Sequence, residues 1–70
     1  MIKIIALDKN SSASHTKSYN PQTKKEFNAN LKEFEGEVEQ IFFKFYVEFE
    51  TMDATSKQEK WCEEEESKLL

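Results

Sequence analysis

From Ile41 to Phe49 every odd position is apolar (Ile41, Phe43, Phe45, Val47, Phe49), within a ten-residue stretch that holds four of the chain's six Phe. Alternation of period two is the mark of a strand with one buried face. The even positions are Phe42, Lys44, Tyr46, Glu48 and Glu50, so the wetter face also carries two aromatics that something must cover. The pattern predicts a long strand over 38–50, with Trp61 as the natural cover for Phe42 and Tyr46.

The N-terminus reads as a second strand. Residues 2–7 are rich in Ile, with Ile2, Ile4 and Ala6 on one face and Lys3, Ile5 and Leu7 on the other, as expected of a central or covered strand. Residues 8–20 then turn polar, and 14–19 form a candidate edge strand that would close a β-hairpin, with Lys9 and Lys17 guarding its rim. Asn20-Pro21 supplies a helix start, because Asn is a favoured N-cap and Pro at the first helical position forfeits no useful hydrogen bond. Phe27, Leu31 and Phe34 follow at i, i+4, i+7 on one stripe. Gly36, the only glycine, falls where a C-cap wants a left-handed residue. The predicted first helix is therefore 21–35. A second helix over 56–68 starts at Ser56, three residues before Glu59 in the spacing of a capping box, and would dock through Trp61 and Leu69.

A rival reading runs the stripe past Gly36 through Val38, Ile41, Phe45 and Met52, making 21–52 one helix in a helical hairpin or coiled coil. Phe42, Phe43, Tyr46, Val47 and Phe49 would then ring most of the cylinder, and their aromatic and β-branched character favours a strand. The fold class expected is α+β: a small two- or three-stranded sheet packed by two helices. A helical crossover would pair the long strand parallel to the first, whereas a completed hairpin admits it antiparallel.

Size and charge narrow the function. Seventy residues make a single small domain that buries roughly 60 to 65% of its extended-chain surface, so help from a partner or a second copy, a dimer, is expected. That help is not a disulfide. Cys62 is the only cysteine, which suits a reducing, cytoplasmic compartment. The four consecutive apolar residues Ile4, Ile5, Ala6 and Leu7, ahead of Asp8, are too few for a secretory signal or a membrane span. Residues 1–32 carry six Lys against Asp8 and Glu26, a balance of +4, while 33–70 carry four Lys against twelve acids, a balance of -8. There is no Arg, and Arg is the usual tool for bidentate phosphate and guanine recognition. Direct nucleic-acid binding is accordingly not expected.

Catalytic and metal chemistry find little to work with. His15 and Cys62 are single copies in unrelated segments, read as a loop histidine and a partly buried thiol, short of a nucleophilic pair. Two N or S ligands do not make a zinc site. Glu35, Glu37 and Glu39, if they alternate through a strand entry, could share a hard cation, but no loop supplies backbone carbonyls, and solvated charge is the expectation. No cofactor, no metal and no enzymatic activity are assigned.

What remains is recognition. One reading is an acidic inhibitor or regulator that docks on a basic surface of another protein. It would present Glu35, Glu37, Glu39, Glu48, Glu50 and Glu63, Glu64, Glu65 and Glu66 where phosphates would lie, in the manner of nucleic-acid mimicry. In general style, though by no motif, such a small Lys-, Asn- and Glu-rich chain is similar to phage-encoded inhibitors of host restriction and CRISPR nucleases, which implies action in a host cytoplasm. The alternative is a structural or oligomerisation subunit whose interface is the aromatic strand 41–50, with Phe42, Tyr46 and Trp61 at its centre.

Overall fold

The fold is a three-stranded antiparallel sheet with two helices on one of its faces, in a computed structural model that describes residues 1–10 and 12–68. Element order is β1 (Ile2–Asp8), β2 (Ser14–Tyr19), α1 (Lys24–Glu39), β3 (Phe45–Glu50) and α2 (Ser56–Lys68), so the α+β architecture is as the sequence implies. The strand order is β2-β1-β3. The hairpin β1–β2 pairs Ile2 with Tyr19 and Leu7 with Ser14. On the other side of β1, Lys3 opposes Glu50 and Asp8 opposes Phe45. Of the two expected connection geometries the antiparallel one is realised: β3 enters antiparallel to β1, not parallel to it, and thereby runs in the same direction as the non-adjacent β2.

Alternation along the strands fixes the two faces. Ile2, Ile4 and Ala6 are fully buried and share the inner face with His15, Lys17, Tyr19, Phe45, Val47 and Phe49. The outer face carries Lys3, Ile5 and Leu7 between a hydroxyl row, Ser14, Thr16 and Ser18, and the row Tyr46, Glu48 and Glu50. Against the inner face α1 sets Phe27, Leu31, Phe34 and Val38, and α2 adds Cys62.

The helices begin where capping chemistry is complete. Thr23 is the N-cap of α1: its Oγ1 accepts from the Glu26 amide at 3.1 Å, and the Glu26 carboxylate accepts from the Gln22 amide at 2.7 Å. This Thr-x-x-Glu box displaces the expected start at Asn20-Pro21, whose oxygens instead accept from Gln58 Nε2 at 3.0 and 2.9 Å. In the same way Thr55 caps α2. Its Oγ1 accepts from the Gln58 amide, and Gln58 Oε1 accepts from the Thr55 amide, a reciprocal box one residue ahead of the Ser56–Glu59 pair. Gln58 is thus a buried hub that ties the entry of α1 to the entry of α2.

Two expectations are corrected. The first helix does not stop at Gly36. It continues to Glu39, because Val38 completes the apolar stripe, and no described glycine has the positive φ that a left-handed cap requires. The amides of Ile41 and Phe42 close the last turn on the Val38 carbonyl at 2.9 and 2.8 Å. The strand therefore begins at Phe45, not 38, and the single helix over 21–52 does not form. Leu69 lies outside the described residues, and α2 docks through Gln58, Trp61 and Cys62. Among the described residues no helix is long and apolar enough to cross a membrane.

Candidate docking site

The inner face of β3 is incompletely covered. Helix α1 lies across β1 and β2, and β3 is an edge strand, so Phe45, Val47 and Phe49 keep part of their surface accessible. They floor an open groove of about 510 Å³. Its walls are Leu31 and Glu35 of α1 and Glu65 of α2, with Lys9 and Tyr46 at one end. The floor is anchored from below: the Phe27 ring sits 6.1 Å from that of Phe49 and 5.9 Å from that of Trp61.

Several predicted site residues take other roles. Phe42 is 8% exposed and belongs to the core. Trp61 packs against the core through Phe27, 5.9 Å between ring centroids, while Tyr46 stays 56% exposed. Tyr46 lies on the open outer face, with Lys9 Nζ 4.6 Å from its ring centroid. The alternation that suggested an extended strand fails at its start, where Ile41 and Phe43 are exposed and Phe42 is buried. Phe43, at 90% exposure, is the most exposed of the three apolar residues, Ile41, Phe42 and Phe43, that the alternation places on the wrong side.

The acids divide into those already neutralised and those left over. Glu37 accepts from Lys17 Nζ at 3.0 Å and lies 3.7 Å from His15 Nε2. That hydrogen bond holds the Glu37 carboxyl below its ordinary range and raises Lys17 above its own. Lys24 binds Glu64 at 3.0 Å and lowers it likewise. Glu65 pairs with Lys68 at 3.1 Å, and Glu50 lies 3.9 Å from Lys3. Among the described residues Glu35, Glu39, Glu48, Glu63 and Glu66 have no cation within ion-pair distance.

Glu35, Glu37 and Glu39 stand on a helix, which turns Glu37 toward β2 and leaves Glu35 and Glu39 on the side of α2. They are not the same-face row that a strand would make, and no described group of three His, Cys, Asp or Glu is placed to hold a metal. Glu35 is the described acid whose setting works against its charge. Burial pushes its carboxyl up, and Glu65 and then Glu39 add like-charge repulsion. Two carboxylates, Glu35 and Glu65, therefore converge on an apolar groove.

His15 and Cys62 stand on different elements, β2 and α2. His15 stacks on Phe34 at 5.7 Å on the inner face of β2, which corrects its placement in a loop. Cys62 is buried in α2, and burial pushes its thiol up to about 11, so almost no thiolate is present near neutral pH. Comparison with protein-family models, curated proteins and solved structures finds no match.

Proposed function

We propose that this chain is a small, non-enzymatic protein-binding domain that docks on a basic surface of another protein and acts there as an inhibitor or regulator. The observation that carries this reading is the convergence of Glu35 and Glu65 on the apolar groove along β3. An apolar floor supplies contact area, and Glu35, with no cation in ion-pair reach among the described residues, and Glu65, paired only with the exposed Lys68, supply attraction and orientation. A partner that ordinarily holds a polyanion would offer the complementary field. A phage-type inhibitor of a host nucleic-acid enzyme fits the size and charge, with the outward acids Glu39, Glu48, Glu63 and Glu66 standing where phosphates would lie.

The test is capture from lysate on immobilised wild type and on a variant carrying Glu35→Gln, Glu39→Gln, Glu63→Gln and Glu66→Gln. The wild type should retain a basic protein that elutes as salt rises from about 0.15 M to about 0.5 M, and the variant should not retain it. Equal retention by both proteins at the higher salt would refute the acidic-surface reading.

A further inference from the structure

We propose that the docking site takes an extended, cationic segment of the partner protein as a fourth strand along the free edge of β3. This inference rests on the docking reading above and specifies the partner's local structure. The sheet order β2-β1-β3 leaves β3 paired only on the β1 side. No backbone hydrogen bond outside the sheet involves residues 45–50 among the described residues. An unpaired edge is a template for strand addition.

The two edges of the sheet are not equivalent. β2 carries Lys17 on the inner face, where it bridges to Glu33 and Glu37 of α1, and a charge under the covering helix discourages a new strand. β3 has no charge on that side. Its inner residues are Phe45, Val47 and Phe49, and the groove beside them is already open. An added strand would lie about 4.8 Å away, with alternate side chains pointing into the groove.

Charge selects the other half of the side chains. On the outer face β3 presents Glu48 and Glu50 at one end and Tyr46, under Lys9, at the other. A segment with apolar residues facing inward and Lys or Arg facing Glu48 and Glu50 satisfies both sides. Glu35 and Glu65 add negative field to the groove wall. A second copy of this chain fits less well. Pairing Val47 with itself would set Lys44 opposite Glu50, but would bring two copies of Glu35 and Glu65 around one shared apolar floor.

The probe is the blocked hexapeptide acetyl-Lys-Val-Lys-Val-Thr-Val-amide, titrated into the isotope-labelled full chain and followed by backbone amide shifts and hydrogen exchange. In antiparallel register its two lysines oppose Glu50 and Glu48, and its valines oppose Phe49, Val47 and Phe45. Saturable shifts along 45–50 with slowed exchange are expected, weakened about fivefold by Glu48→Lys. A peptide N-methylated on alternate residues of its hydrogen-bonding edge should not bind, and neither should one with Glu in place of Lys. Absence of β3 shifts up to about 1 mM peptide, or binding indifferent to N-methylation, would overturn the proposal. So would a dimer in sedimentation whose β3 amides are protected without peptide. If the peptide fails while salt-sensitive capture persists, strand addition is wrong and the docking reading stands. If the peptide binds and the Glu→Gln variant still captures its partner in high salt, the reverse holds.

Discussion

Phe42 and Phe43 are neighbours of identical chemistry with opposite environments, 8% and 90% exposed. They part at the turn that follows α1. The Phe42 amide closes on the Val38 carbonyl at 2.8 Å, and its side chain joins the buried stripe Phe27, Leu31, Phe34, Val38 in the core. Phe43 then has no inward direction left to take. Phe42→Ala should therefore lower unfolding free energy by about 3 to 4 kcal/mol, the usual loss for a buried Phe, from a total of about 4 to 10 for a domain of this size. Phe43→Ser should change it by no more than about 0.5 kcal/mol. Urea titration of both variants checks this, and equal losses would mean that Phe43 is packed.

At the scale of elements, α1 holds a flaw that can be repaired. Gly36 lies mid-helix on the exposed side, its φ is ordinary, and a Cβ built there meets nothing within 4 Å. Gly36→Ala should stabilise the protein by about 0.5 to 1 kcal/mol by restricting the unfolded chain, raising Tm by roughly 2 to 8 °C in a chain of this length. A lower Tm would show that the glycine relieves a contact. The same residue explains why the first helix was misjudged from sequence. A lone glycine resembles a C-cap, but Val38 at the next stripe position was the stronger signal, since burying an apolar side chain outweighs one propensity term. β1 and β2 were legible because period and turn composition agree there, and α2 because the two candidate caps lie only one residue apart. The groove was not, because its opening depends on α1 crossing the sheet over β1 and β2, a packing geometry that no local pattern encodes. The boxes Thr23–Glu26 and Thr55–Gln58 were present in the sequence, overshadowed by Asn20-Pro21 and Ser56–Glu59.

At the scale of the molecule, folding rearranges the charge split of +4 and -8 between the two halves. N-terminal lysines reach C-terminal acids through Lys3–Glu50, Lys17–Glu37 and Lys24–Glu64. Glu35 is left in an unfavourable setting, pushed up by burial, by Glu65 and by Glu39. Its folded carboxyl keeps its proton to higher pH than the ordinary 4.5. The ionised form therefore destabilises the folded state at neutral pH, and that penalty fades as pH falls through the raised value and vanishes below 4.5, where both states are protonated. Glu37 and Glu64, held low by Lys17 and Lys24, act in the opposite sense: their stabilisation is present above 4.5 and lost as pH falls through their depressed values. Glu35→Gln isolates the first effect. The variant should be more stable than wild type at pH 7, and the gap should close by about pH 3, as measured by urea unfolding at both pH values. A gap of the same size at both, or a less stable variant at neutral pH, would mean that Glu35 is not under electrostatic pressure. The same substitution should weaken capture of a basic partner, because a cation brought beside Glu35 relieves the repulsion that makes its charge unfavourable in the free protein. Stability gained with affinity lost is the signature of a charge kept for binding.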